Sequence, residues 1–374
     1  MALQQQAQVL RLPTAGPNDT TALAQALDRG LLRADEIVGI VGKTEGNGCV
    51  NDFTRGYATL ALKVLLAERL ACTMAAVEQR IALVMSGGTE GGLSPHLTVF
   101  CRRKAEERLP DAGKRLAIGI GFTRRFRPEE IGRAAQIRET AAAVRAAMAE
   151  AGIDDAADAH FVQIKCPLLT QERIGEARAR GADTATQDTY ESMALSRGAS
   201  ALGVAVALGE ICAAQVADAA VGSDWSLFSG VASTSAGVEL QRNEIIVLGN
   251  ATGWTGDLRI EHDVMADAID LEAARRALSR LGLAAAGQVP TEARERIVAV
   301  LAKAEAAPAG MIRGRRHIML DDSDIHSTRH ARALVGGVLA GLIGDTMLYV
   351  SGGAEHQGPA GGGPVAIIAR VGSP

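Results

Sequence analysis

Aromatic residues are scarce, at 3% of 374 residues, too few to furnish the stacking platforms that bind single-stranded nucleic acid. Strong charge of either sign is missing as well. A net charge of -4 leaves no cationic footprint for a polyanion or an acidic membrane surface. Five cysteines (Cys49, Cys72, Cys101, Cys166 and Cys212) form an odd set with no C-x-x-C pair, which fits reduced thiols better than a disulfide framework. The longest apolar runs, such as "ALVGGVLAGLIG", are too short to span a bilayer, and "MALQQQAQVLRLPTAG" has no charged segment leading into an apolar one. The expectation is a soluble, cytoplasmic protein with neither nucleic-acid nor membrane partners. With 47% hydrophobic residues, the chain can bury a large core and divide into two or three units.

Internal repetition is abundant. The pattern Ser-[Gly/Ala]-Gly-x-Glu occurs as "SGGTE" (Ser86–Glu90), "SAGVE" (Ser235–Glu239) and "SGGAE" (Ser351–Glu355). Ahead of each copy lies a short apolar run ending in lysine: "IVGIVGK" at Lys43, "HFVQIK" at Lys165 and "IVAVLAK" at Lys303. Such runs read as buried strands with the lysine at or just past the C-terminal end. Between the two stands an arginine (Arg55, Arg197, Arg332) opening a helical segment rich in Ala, Leu and Gly. Capping-type residues precede it: Asn51, Asp52 and Thr54, then Ser192 and Ser196, then Ser323 and Ser327. Apolar strands ("LTVF", "EIIVLG", "VAIIA") follow each serine element.

Each unit therefore reads as strand, lysine, loop, arginine, helix, strand, serine turn, strand, which implies α/β layers with helices packed on sheets. The units span 1–104, 112–250 and 256–374, separated by the charged "CRRKAEERLPDAGKR" and the "NATGWTGDLR" turn. "AAQIRETAAAVRAAMAEAG" and "LEAARRALSRLG" read as amphipathic surface helices.

Three units around a pseudo-threefold axis would bring three lysines, three arginines and three serines to one centre. Each serine hydroxyl, with backbone N–H groups at Gly87, Ala236 and Gly352, would cradle one oxygen, and each arginine would add a charge-assisted bond. A small planar ring with three carbonyl oxygens suits that symmetry. A histidine-borne zinc site is a poorer reading: His326 and His330 are spaced i, i+4, but no H-E-x-x-H accompanies them. "GGVLAG" sits inside an apolar helical segment and is no dinucleotide loop. A non-catalytic receptor for a small ring remains the alternative of a different class.

"VGKTEGNGCVNDFTRG", "SGGTEGGLSPH", "STSAGVEL", "DDSDIHSTRHARA" and "YVSGGAEHQGPAGGGPVAIIAR" resemble the ring-opening amidohydrolases, the cyanuric acid hydrolase and barbiturase family, from about Lys43 to Arg370. The resemblance implies three repeats in one chain with the substrate ring on the axis, contacted by Lys43, Arg55 and Ser86, by Lys165, Arg197 and Ser235, and by Lys303, Arg332 and Ser351. It also implies that the second Ser–Lys pair, Ser235 with Lys165, carries the chemistry: opening of cyanuric acid to carboxybiuret, which loses carbon dioxide to give biuret. Barbituric acid is the alternative substrate. Ser233 is the in-phase rival nucleophile but lacks the x-Gly-x-Glu continuation. No organic cofactor is implied, whereas Glu305 with carbonyls around Ala354, Gln357, Gly358, Pro359 and Gly362 is expected to hold a structural Mg²⁺ or Ca²⁺. A homo-oligomer, a tetramer by the same resemblance, is expected. For Lys165 to act as a base, its pKa of about 10.4 must fall toward neutrality. Two cations at about 5 Å from the arginine and lysine sets would supply that at an effective dielectric near 20, with desolvation helping in the same direction.

Overall fold

The computed structural model describes residues 4–105 and 113–372, so the middle of the charged stretch read as a boundary lies outside the described residues. The first sheet is built from β1 (Gln5–Pro13), β2 (Ile37–Thr44), β3 (Ala82–Gly87) and β4 (His96–Lys104), with helices α1 (Thr21–Asp28), α2 (Phe53–Arg69) and α3 (Met74–Arg80). The second contains β5 (Arg115–Phe122), β6 (Ala159–Pro167), β7 (Ala232–Gly237) and β8 (Glu244–Ala251), with α4 (Ala134–Ala151), α5 (Gln171–Ala179) and α6 (Thr189–Leu208). A short β9 (Trp254–Thr255) then pairs in parallel with β1 at the edge of the first sheet. The third sheet contains β10 (Leu258–Met265), β11 (Ile297–Ala304), β14 (Tyr349–Gly352) and β15 (Gly363–Arg370). Its helices are α7 (Leu271–Arg280), α8 (Thr291–Arg294) and α9 (Ser327–Ile343), and a small hairpin of β12 (Met311–Ile312) and β13 (Arg315–Arg316) lies between β11 and α9.

The three sheets share one topology. Their orders are β3-β2-β4-β1, β7-β6-β8-β5 and β14-β11-β15-β10. In each, the first two strands of that order are parallel neighbours and the remaining pairs are antiparallel. Even an irregularity repeats: the ladder slips between Ile37 and Gly39, between Ala159 and Phe161, and between Ile297 and Ala299. A bulge of this kind re-aims the residues beyond it. Beyond it, parallel pairing sets Lys43 opposite Ser86, Lys165 opposite Ser235 and Lys303 opposite Ser351.

The β6, β7, β8 and β11 strands are buried along their whole length, as sheets covered on both faces must be. One apolar cluster draws on all three sheets, through Val84 and Phe100, Ile164 and Val247, and Leu301 and Ile368. Helices cover the outside. α4 buries Ile137, Ala141, Val144 and Met148, an i, i+4, i+7, i+11 stripe, so the segment read as amphipathic is a helix laid on its sheet. On the inside, β3 packs on β6, and β14 packs on both β2 and β7, which gathers the serine-bearing strands around a common axis.

Two local expectations are corrected. The serines do not form turns; they occupy the last positions of β3, β7 and β14. Arg55 lies in the first turn of α2, but Arg197 and Arg332 lie well inside α6 and α9. The caps are Asp52, Asp188 and His326, whose side chains accept from the backbone of Thr54, Glu191 and Thr328, while Ser192 and Ser196 are interior to α6. Among the described residues, no helix is long and apolar enough to cross a membrane.

Candidate active site

Three lysines meet at the axis, each almost wholly shielded from water (Lys43 1%, Lys165 0%, Lys303 0% exposed). A buried ammonium must find new partners, and the three find equivalent ones. Lys43 Nζ donates to the carbonyl of Val350 at 2.7 Å, Lys165 Nζ to Met85 at 2.6 Å and Lys303 Nζ to Thr234 at 2.8 Å. Each acceptor is the residue just before the serine of another unit, so the contacts run in a closed cycle. Burial, then the charge of Arg332, pushes Lys43 well below its ordinary pKa. Burial, then Arg197, brings Lys303 down to about 7.

The arginines and the motif glutamates form a second ring. Arg332 meets Glu90 through Nε at 2.8 Å and Nη2 at 2.5 Å, and Arg197 meets Glu355 through Nε at 2.7 Å and Nη2 at 2.6 Å. Both forks join different units and are buried, with the geometry in which arginine binds carboxylate best. The third arginine departs from the pattern. Arg55 donates to the carbonyls of Ala236 at 2.8 Å and Cys49 at 2.6 Å, with Asp52 at 3.8 Å as its carboxylate neighbour. Glu239 lies against Lys165, Oε1 to Nζ 3.0 Å. Lys165 is accordingly lowered by burial, raised by Glu239 and lowered again by Arg55. Burial, expected to assist the neighbouring cations, is the largest contribution, and a carboxylate opposes it.

The serines break the symmetry in the same unit. Ser86 and Ser351 lie 3.3 Å apart, hydrogen-bonded to each other, and each also accepts from its own lysine, at 3.3 Å from Lys43 and 3.2 Å from Lys303. Among the described residues no side-chain bond holds the Ser235 hydroxyl. Ser235 is also the most open of the three, at 7% against 3% and 1%. The rival Ser233 is committed to Gln163 Oε1 at 2.7 Å and is fully buried. A small hollow on the axis is lined by Arg55, Arg197 and Arg332 together with Ser86, Ser235, Gly87, Ala236 and Gly352, while Ser351 sits behind it. Gly48 and Met193, which carried no sequence signal, complete the wall.

Glycine is required at two of the turns. A Cβ on Gly353 (φ +78°) would lie 2.6 Å from Arg197 Nε, and one on Gly88 (φ +102°) would lie 2.4 Å from Arg332 Nε. The glutamates themselves were visible in the repeated pattern, but which cation each would meet was not.

The C-terminal loop bears on the cation expectation. Glu305 accepts from the backbone of Ala306 at 3.1 Å and Ala354 at 2.6 Å, and its carboxyl is pushed up to about 7 by burial and then by Glu355. Glu305, just past β11, and Glu355, on the loop after β14, bring two largely buried carboxylates together, a donor set that suits a hard cation. Two details narrow the donor set. The Gln357 side chain is spent on Thr234 N (2.6 Å) and the carbonyls of Gly353 and Glu355, so it pins β7 next to Ser235 and leaves Gln357 only its backbone oxygen. The carbonyls of Ala354 and Pro359 already accept from Gln357 N and Gly362 N. The histidines gather no site at the hollow: His326 bonds Tyr190, His330 bonds Asp322, and His160 and His262 pair with each other, Nδ1 to Nδ1 at 2.8 Å, among residues that do not line it.

The family model for amidohydrolase ring-opening proteins matches residues 8–370. The chain belongs to that family, and with it to the hydrolases. It is 58% identical over 368 residues to the cyanuric acid amidohydrolase of Enterobacter cloacae (98% of this chain, 100% of the relative). It is 59% identical over 364 residues to that of Bradyrhizobium diazoefficiens (97% and 98%). A solved cyanuric acid hydrolase superposes with a TM-score of 0.94 at 54% identity, covering 98% of this chain and 100% of the other. The A. caulinodans enzyme gives 0.91 at 54% identity, covering 98% and 99%.

The broken ring of pairs is measurable. Double-mutant cycles on stability for Glu90 with Arg332 and for Glu355 with Arg197 are expected to return couplings of about 1.5–3 kcal/mol, and the Glu239 with Arg55 cycle a markedly smaller one. Three equal couplings would contradict the asymmetry.

Proposed function

We propose that this chain opens the ring of cyanuric acid by hydrolysis, with Ser235 as nucleophile and Lys165 as its base. The observation that carries this reading is the release of one serine from an otherwise locked set: Ser86 and Ser351 hold each other, while Ser235 faces the hollow unbonded and opposite its lysine. The three arginines that line the hollow hold the carbonyl oxygens of a flat ring. Ser235 Oγ attacks the third carbonyl carbon and its proton passes to neutral Lys165. Arg55, which has no carboxylate in a forked hydrogen-bonded pair, is the cation best placed to stabilise the oxyanion beside Ala236. The ring C–N bond then breaks, Lys165 returns the proton to the leaving nitrogen, and water releases the acyl group as carboxybiuret, which decarboxylates to biuret. A lysine can serve because burial removes the water that favours its charged form.

We further propose that Glu305 and the carbonyls of the 354–362 loop hold Mg²⁺ or Ca²⁺. When bound, the ion would neutralise Glu305 and Glu355 and stiffen the loop that pins Thr234. Adding either ion to chelator-treated protein is expected to raise the thermal midpoint, an effect that Glu305→Gln should remove. A midpoint indifferent to both ions would withdraw the site.

Turnover of cyanuric and barbituric acids should be measured in parallel. We expect Ser235→Ala and Lys165→Met each to lower kcat on cyanuric acid by at least about a thousandfold. Ser351→Ala should chiefly raise KM. Equal loss of kcat in the Ser86, Ser235 and Ser351 variants would refute the assignment, and turnover of barbituric acid alone would move the substrate.

A further inference from the structure

In the first and third units the motif glutamate crosses to an arginine of a neighbouring unit, Glu90 to Arg332 and Glu355 to Arg197. The same rule would send Glu239 to Arg55. Instead its carboxylate folds back over its own turn, so closely that a Cβ on Gly237 would lie 2.2 Å from Oε2. The backbone explains the difference. Gly88 and Gly353 take positive φ, whereas Gly237 remains in the extended chain of β7, and Ala236 replaces the glycine found at 87 and 352. Glu239 thereby reaches Lys165, the only axial lysine among the described residues to hold a carboxylate.

The other side of Glu239 is equally informative. It forms part of the wall of a cavity of about 520 Å³ at the seam between the first two units. α2 and α3 supply Thr59, Lys63 and Glu78, and the facing wall has Arg124, Arg173 and Arg242. This cavity is separate from the axial hollow. A ring seated in the hollow would cover Ser235 from the front, leaving Glu239 as the group between buried Lys165 and the water of the seam.

We propose that Glu239 is the positioning residue of the reaction: with the Met85 carbonyl it anchors Lys165 Nζ, and it links that nitrogen to solvent through the seam cavity. The proposal rests on the Ser235–Lys165 reading above. Charged and titratable groups facing the pair are few. Lys165 meets Glu239, Arg55 from α2 and Cys166 from its own strand. Glu239 meets Lys165, Arg55 and Arg173 from α5, the last of which also donates to the Val238 carbonyl at 3.0 Å. Of the groups facing Lys165, Glu239 is the one whose side chain both touches it and reaches the cavity.

The sign of the effect follows. A carboxylate beside an ammonium favours the protonated form, so removing its charge lets Lys165 lose its proton at lower pH. In Glu239→Gln, the acid limb of kcat/KM is expected to move down by about one pH unit or more. The plateau kcat should fall about tenfold or more, because the base is weaker and less well held, with KM within about twofold of the parent. Glu239→Asp keeps the charge and should keep the limb within about half a unit, which guards against a folding defect. An acid limb that stays put in folded Glu239→Gln would overturn the proposal while leaving the dyad intact. Full turnover in Lys165→Met would instead remove the reading on which it stands.

Discussion

Three lysine side chains share one buried centre, and the rest of the molecule is arranged to make that tolerable. Each lysine can be buried only because another unit offers the carbonyl just before its serine: Val350 for Lys43, Met85 for Lys165, Thr234 for Lys303. An isolated unit would leave its lysine without that partner, and an unpaired buried charge is among the costliest defects a core can hold. The cycle of contacts thus explains why the three sheets occur together, with their serine strands inward and their helices outside. Closing the cycle also fixes the size of the hollow, since the same strands carry both the lysine partners and the residues that face a ligand.

On the proposed reading, threefold repetition supplies recognition, and departure from it supplies reactivity. Two arginines are forked to glutamates and two serines are bonded to one another, so those groups are held in place. The second unit differs at Ala236, at Gly237 and in the direction of Glu239, and the consequences accumulate: an arginine with no forked carboxylate, a lysine beside a carboxylate, and an unbonded serine. A symmetric ring bound in such a site meets three similar edges, of which one is chemically prepared. That arrangement permits tight positioning without requiring the substrate to be asymmetric.

Much of this was legible in the sequence because it was written three times. Lysine, arginine and serine recur in one order, and coincidence of that kind identifies a centre that no single copy could. What stayed hidden depends on backbone angles. The glutamates recur just as faithfully, but whether one reaches an arginine or a lysine is decided by φ at Gly88, Gly237 and Gly353, which composition does not encode. The opening strands β1, β5 and β10 were also unread. In β5 the reason is visible: Gly119 and Gly121 weaken the strand signal, yet they are required where α4 presses close, since a Cβ on Gly119 would lie 2.0 Å from the Ala147 carbonyl. The cation loop was anticipated as a set of donors, while the grip of Gln357 on Thr234 needed the folded chain to be seen.

The central claim is that one of three near-equivalent serines forms the covalent bond. The most direct measurement is acid quench of the enzyme during turnover of cyanuric acid, followed by mass mapping of its peptides. An adduct of one opened ring on the peptide containing Ser235, and on no other, is the predicted result. An adduct on the peptide of Ser86 or Ser351, or none on any serine while biuret accumulates, would contradict it.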